Sequence, residues 1–412
     1  MENEKNYSKV QFVGHVLCTT PALKASVEEM SDWGIYLGYP DDSKDIEARL
    51  NIVSSVLKQV FSTRIDASAN TLKVFALPEF FWRGLKGAYL YPDGANDVMY
   101  KKISSGLTQM LARFKTQYDL SDWLFLFGSI LTTNDTTQST TTIDPTLSKV
   151  GDDFLSVYNL LSSNLGANAI GSTSRLLKII DQKQIADNPA DEKLSALLAD
   201  ILGLSDQLAQ KKVYNRCFIY YGGKEYSIQK ENKSKEDFIL NNPSTQPNTV
   251  DYYLQTMVDY PPVAGVLNPV DTITYSTFKC GNLSIGVEIC LDHSRKRLMG
   301  YVYEQKISPV DIQLVISCGM QLKKDSIAAK EGGILFNCDG EYILPNDAQN
   351  GDHCHSQLKT CSFSASSGPQ LSDNIPAAQV IPVAGTMSTV LYPHGLGEIH
   401  VYNPMQIASQ NK

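Results

Sequence analysis

The stretch GNLSIGVEICLDH (281–293) runs through an apolar strand, Leu283 to Ile289, and delivers a cysteine, Cys290, at its end. Two other segments have the same form: VFALPE (74–79) leads to Glu79, and YSIQK (226–230) leads to Lys230. Each is a strand that carries one reactive side chain at its C-terminal end. In open α/β sheets that rim is where ligands bind, because strands hold the groups while the loops beyond them vary. Strands adjacent in space need not be adjacent in sequence, so an acid, an amine and a thiol from distant segments can meet there.

On either side of these segments, strand and helix signals alternate. VQFVGHVLC (10–18) reads as a buried strand, and Ile46 to Phe61 sets Leu50, Val53, Leu57, Val60 and Phe61 at helical spacing. A helix is predicted over Met99 to Tyr118 and a strand over Trp123 to Leu131. Val213–Tyr221 and Glu225–Gln229 flank a Gly-Gly turn at 222–223 and predict a hairpin, with Lys230 just past its end. A helix-like segment follows His293, and further strands are predicted over Asp311–Ser317, Gly333–Cys338 and Met387–Tyr392. No internal repeat is evident, so the pattern predicts one elaborated α/β domain spanning residues 1–412.

Two stretches break the alternation. Residues 132–149 are dominated by Thr, Ser, Asn and Asp, and 152–212 predicts helices over Asp153–Leu165 and Glu192–Lys211, so 132–212 reads as a loop and helical insertion. Residues 342–380, rich in Pro, Asn, Ser and Gly, read as a second, polar loop insertion. Residues 231–250 are expected to form a loop.

The chain is 42% hydrophobic and 19% charged over 412 residues, enough to bury a large core. A formal net charge of −8, with no long Lys/Arg run, argues against nucleic acid or an anionic membrane as a partner. MENEKNYSKVQF lacks the basic-then-apolar order of a secretion signal. The apolar run from Trp123 to Leu131 is far short of the roughly 20 residues that span a bilayer. Eight scattered cysteines, several inside strand-like runs, read as reduced thiols of a cytoplasmic protein.

The three residue types suit one chemistry. A nearby ammonium favours thiolate over thiol. A carboxylate can take the thiol proton and return it to a leaving amine. The ammonium can also stabilise an oxyanion, commonly worth about 2.7–4 kcal/mol per donor. Singly, Cys290 reads as a small core residue, Glu79 as a turn residue and Lys230 as a solvated charge. Their shared placement at strand ends favours the chemistry. By strand alternation Glu288 is expected on the same face as Cys290, lining the pocket. Phe81 and Trp82, with Phe80 and Tyr89, are also expected to shape it. His293 raises a Cys–His alternative, but the chain turns away into a helix there, which favours a structural or substrate-edge role. His353, Cys354, His355 and Cys361 are metal-ligand types in a spacing that fits no zinc pattern, so no metal is expected.

Together these segments resemble the nitrilase, or carbon–nitrogen hydrolase, superfamily, and the resemblance covers most of the chain. ALPEFFWRG (76–84) is similar to its proline-glutamate motif. VYNRCFIYYGGKEYSIQK (213–230) is similar to its strand–turn–strand before the catalytic lysine, with Asn215 in register. GNLSIGVEICLDH resembles the nucleophile motif, with Asp292 two residues after the cysteine. DIQLVISCG (311–319) and IAAKEGGILFNCDG (327–340) resemble the downstream strand, helix and strand. The resemblance implies a four-layer α-β-β-α sandwich with a Glu79, Lys230, Cys290 triad. It further implies the backbone N–H of Leu291 as oxyanion partner, assembly as a homo-oligomer and no cofactor. Lys233 and Lys235 are alternatives to Lys230, which keeps the hairpin register; Glu231 and Glu236 are the options for a second glutamate near the lysine. Nitrile-cleaving members typically carry Trp after the nucleophile, whereas Leu291-Asp292 follows here. The expectation is therefore an amidase acting on a small-molecule or peptide-like amide, with nitrile hydrolysis, acyl transfer or a non-catalytic binding module as alternatives.

Overall fold

The computed structural model describes residues 5–19, 37–85, 87–92, 97–135, 213–232, 240–241, 250–251, 271–272, 274–341, 356–364, 366, 368–384, 390–392 and 395–408. The elements begin with β1 Lys9–Val16, α1 Asp42–Phe61, β2 Thr71–Leu77, β3 Tyr89–Pro92, α2 Val98–Phe114 and β4 Trp123–Asp135. There follow β5 Val213–Tyr221, β6 Lys224–Gln229, β7 Leu240–Asn241, β8 Val250–Asp251, β9 Asp271–Thr272, β10 Thr277–Cys280 and β11 Leu283–Ile289. Then come α3 Leu291–Ser294, α4 Arg297–Tyr303, β12 Val310–Ser317, β13 Ala329–Asp339 and β14 Ser356–Ser364. The last are β15 Gly368–Leu371, β16 Gln379–Pro382, β17 Glu398–Val401 and β18 Met405–Gln406.

Among the described residues these strands form two mixed sheets and a separate antiparallel pair, β7-β8. The larger runs β16-β17-β1-β2-β4-β5-β6-β9, with β18 on β1 and β3 on β4; the smaller runs β10-β11-β12-β13-β14-β15. Parallel pairing joins β1, β2 and β4 in one sheet and β11, β12 and β13 in the other. Their strands are apolar on both faces because both faces are covered. Phe12, Val74, Leu126 and Ile219 of the larger sheet meet Ile285, Val287, Leu314 and Phe336 of the smaller in one core. Phe12 and Phe336 stack with ring centroids 4.9 Å apart. On the outer face of the larger sheet, Phe75, Phe125 and Phe218 pack beneath Val53 and Val56 of α1 and Leu107 of α2. On the outer face of the smaller, Leu298 of α4 covers Val310, Val315 and Leu335. The order of layers is α-β-β-α, as the family resemblance implies.

Local signals set the starts of α1 and α2. Asp41 caps α1 by accepting from the N–H groups of Ser43 and Lys44, so the helix starts before the apolar periodicity that predicts it. Asp97 caps α2 in the same way through Tyr100 N–H.

Four expectations differ from the structure. Within 342–380, β14 pairs antiparallel with β13, and β15 with β14. The polar residues of β14 that hid it are buried and bonded: Ser356 Oγ lies 2.7 Å from Tyr402 Oη, and Gln357 Oε1 accepts from Leu322 N–H. The start of the Thr-rich stretch at 132 is likewise strand, since β4 extends to Asp135 with Thr132 hydrogen-bonded to Asp97. The predicted strand at 387–392 is absent from its described part. Leu391 and Tyr392 form a buried turn, and β16 and β17 supply the edge instead. The downstream helix expected within 327–340 is replaced by a short 3₁₀ turn, Lys324–Ser326, leading into β13. The predicted helices Asp153–Leu165 and Glu192–Lys211 lie outside the described residues. Among those residues no helix is long and apolar enough to cross a membrane.

Candidate active site

Residues Pro78 and Glu79 follow β2, and the turn beyond them is shaped by a bulge in β4. Gly128 sits in that bulge at φ +66, where a Cβ would stand 2.5 Å from the Pro78 carbonyl oxygen. Phe80 N–H donates to Ser129 Oγ and Trp82 N–H to Ser129 O, so the turn is bonded to the bulge. Phe80 itself takes φ +62, uncommon for a bulky residue.

Glu79 and Lys230 form a buried ion pair. Lys230 Nζ is 2.9 Å from Glu79 Oε1, and neither side chain is exposed. Asn215 of β5 donates from Nδ2 to the same carboxylate oxygen at 2.9 Å, and its carbonyl accepts from Lys230 N–H. The hairpin register therefore sets Asn215 and Lys230 together against Glu79. Lys233, Lys235 and Glu236 lie outside the described residues.

Cys290 occupies the junction of β11 and α3 with φ +47 and ψ −104. A non-glycine residue held in that region is strained, and such strain clusters at functional sites. Its N–H donates to Ile316 O at 2.9 Å, while Glu79 N–H donates to Ser317 O at 3.2 Å. The end of β2 in one sheet and the end of β11 in the other thus hang on consecutive carbonyls at the end of β12. Cys290 Sγ lies 4.0 Å from the carbonyl oxygen of Cys318. The loop carrying Cys318 is fixed by Asp339, whose carboxylate accepts from Ser317 Oγ and from the N–H groups of Gly319 and Met320. Burial raises the Cys318 thiol well above its ordinary value, and the charges of Asp339 and Glu79 add to that. The described cysteines are all free thiols.

The expected pocket residues divide. Phe80 stands at the site: its ring centroid is 5.7 Å from Lys230 Nζ and 4.1 Å from the Arg83 guanidinium carbon, and it packs with Ala88, Leu131 and Cys318. Phe81 and Trp82 do not line the site. Both are fully buried in the core beneath α1 and α2, where Trp82 Nε1 donates to Phe127 O. Positive φ at Phe80 turns the chain, so these neighbours face the opposite way.

Glu288 is also directed away. It accepts from His293 Nδ1, Leu298 N–H and Gln313 Nε2 on the outer face of the smaller sheet. Strand alternation fails to carry over to Cys290 because the extended conformation ends at Ile289. Burial pushes the Glu288 carboxyl up, yet its contact with His293 and the hydrogen bonds from His293, Leu298 and Gln313 outweigh it and hold the group below its ordinary value. His293 is fully buried. Its Nε2 accepts from Lys323 N–H, leaving Nδ1 to donate to Glu288. Nδ1 thus ties α3 to β11, and Nε2 ties it to the loop at Lys323. Leu291 opens α3, where first-turn N–H groups lack an intrahelical acceptor.

Among the described residues no group of three or more His, Cys, Asp and Glu side chains could hold a metal ion. Cys361 is buried with Sγ 3.0 Å from Lys330 O, and His353, Cys354 and His355 lie outside the described residues.

No protein-family model and no curated protein matches the chain. Solved structures similar to it include a Saccharomyces cerevisiae member of branch 10 of the nitrilase superfamily, at 11% identity and TM-score 0.36, covering 90% of this chain and 91% of that one. An amidase of the nitrilase superfamily from Nesterenkonia is similar at 8% identity and TM-score 0.33, covering 83% and 81%. A carbon–nitrogen hydrolase from Helicobacter pylori is similar at 9% identity and TM-score 0.34, covering 96% and 89%.

Proposed function

We propose that the chain is a carbon–nitrogen hydrolase of the nitrilase superfamily that cleaves linear amides through a thioester on Cys290. The observation that carries this reading is the buried Glu79–Lys230 pair at the rim, where Cys290 is held in a strained turn. A buried ion pair is weak evidence for stability, because desolvation offsets its attraction. Its retention beside a thiol has a chemical rationale.

In this mechanism Cys290 loses its proton to Glu79 and its sulfur attacks the amide carbonyl. The oxyanion accepts from the Lys230 ammonium and the Leu291 N–H. The C–N bond breaks as Glu79 returns the proton to the departing ammonia or amine. Water then gives a proton to Glu79, attacks the thioester, and the carboxylic acid leaves as sulfur regains a proton. No cofactor takes part. The substrate class is a small-molecule or peptide-like amide, and the protein works as a cytoplasmic homo-oligomer with neither nucleic acid nor membrane as partner. Nitrile hydrolysis and acyl transfer use the same triad, but Leu291 in place of Trp after Cys290 favours amides over nitriles.

Intact-mass analysis of the wild-type protein, quenched in acid during turnover of a panel of amides, tests this. An acyl adduct on Cys290 is expected. Alkylation of Cys290 no faster than in the denatured chain, together with full activity in Cys290→Ala, would overturn the enzyme reading in favour of a binding module.

A further inference from the structure

Lys230 N–H makes the last hydrogen bond of the β5–β6 ladder, and beyond it the backbone leaves the sheet. What holds it there is Asp292, two residues past the nucleophile. The Asp292 carboxylate accepts from Glu231 N–H at 3.1 Å, Asn232 N–H at 2.7 Å and Asn232 Nδ2 at 3.0 Å. Arg297 Nη1 donates to its other oxygen at 2.8 Å. Arg297 also pairs with Glu231 Oε1 at 2.6 Å, and Tyr301 Oη donates to Glu231 Oε2. Glu231 is thereby part of this brace rather than of the Glu79 site. Asp292 is fully buried.

From this we infer that Asp292 is a positioning residue: it ties the chain carrying Lys230 to the turn carrying Cys290 and so sets the ammonium against the thiol. The inference rests on the proposed triad. An ionised carboxylate suits the task because it only accepts, and the N–H groups of two successive residues, an amide and a guanidinium all point at it. An isosteric asparagine would aim its own N–H₂ at those donors. The Arg297 ion pair sets the angle of the carboxylate from the α4 side.

The test exploits a difference in sign. Removing a negative charge near Cys290 would by electrostatics alone favour the thiolate and move its titration down. Loss of alignment with Lys230 moves it up. We expect Asp292→Asn to slow iodoacetamide alkylation of Cys290 at neutral pH roughly tenfold, an upward displacement of about one pH unit. Lys230→Met is expected to displace the profile the same way, and Asp292→Asn added to Lys230→Met to displace it no further. Amide hydrogen exchange at Glu231 and Asn232 should quicken in Asp292→Asn. If that variant does not fold, Arg297→Met, which keeps the carboxylate, is read by amide hydrogen exchange at Glu231 and Asn232, because losing a positive charge would by itself move the thiol profile up; unchanged exchange there overturns the tether. A profile unmoved or moved down in Asp292→Asn, while Lys230→Met moves it up, overturns the tether alone. A profile unmoved by Lys230→Met overturns the triad, and the tether with it.

Discussion

Lys230 Nζ stands 2.9 Å from Glu79 Oε1 inside the protein, with both side chains wholly removed from solvent. Breaking such a pair leaves one uncompensated buried charge. Lys230→Met is expected to cost about 3–5 kcal/mol in urea unfolding, and the double variant Glu79→Gln/Lys230→Met to recover most of it, because neither charge is then left alone. Both should be catalytically dead. A double variant as unstable as the single one would show that the two groups are not coupled.

Gly128 links a backbone irregularity to the candidate base. Its positive φ alone makes alanine there costly by about 1–2 kcal/mol. The added Cβ would press on the Pro78 carbonyl, one residue before Glu79. Gly128→Ala should lower Tm modestly and kcat/KM for amide hydrolysis more than tenfold. A wild-type rate in a destabilised Gly128→Ala protein would refute the idea that the bulge sets the position of Glu79.

Because Glu288 faces α4 rather than the thiol, Glu288→Gln should act on stability. The lost charge-assisted bonds to His293, Leu298 and Gln313 predict a cost of roughly 1–3 kcal/mol. The pH profile of Cys290 alkylation should stay as in the wild type. The Glu288 carboxyl is held below its ordinary 4.5, so it stabilises the fold above that pH, and the contribution disappears as pH falls through the lowered value. A displaced alkylation profile would return Glu288 to the pocket.

His15 of β1 is fully buried and donates from Nε2 to Leu396 O at 2.7 Å. Burial, opposed only weakly by that bond, lowers it from 6.5 to about 4. Protonation therefore favours the unfolded chain. The stability this neutral histidine permits is complete above pH 6.5 and is lost as pH falls from 6.5 through about 4, a change on the order of 3 kcal/mol. His15→Gln keeps a donor for Leu396 and cannot titrate. Denaturant unfolding between pH 4 and 7 should show a flatter acid limb for this variant; identical limbs would exclude His15 as the cause.

Where a strand is apolar, its limits were legible in the residues: Val213–Tyr221 and Leu283–Ile289 occur as the patterning predicts. Where burial is achieved by polar side chains with satisfied hydrogen bonds, as at Ser356 and Gln357 of β14, composition reads as loop. The apolar Leu391-Tyr392 misleads in the other direction. Tyr392 is buried to donate its hydroxyl to Phe81 O, and not to join a sheet. Phe81, Trp82 and Glu288 were misdirected for one shared reason. A single positive φ, at Phe80 or Cys290, reverses which face a side chain meets, and no residue type announces it.

Amino-acid order alone determined the α/β alternation and put Glu79, Lys230 and Cys290 at strand ends, because hydrophobic periodicity and turn chemistry are local properties. Tertiary structure decided which groups meet: the Glu79–Lys230 pair, the Asn215 bond that orients it, and the Asp292 clamp across it. Those contacts join residues far apart in the chain through the packing of two sheets, and their geometry exists only once both sheets have closed on their shared core.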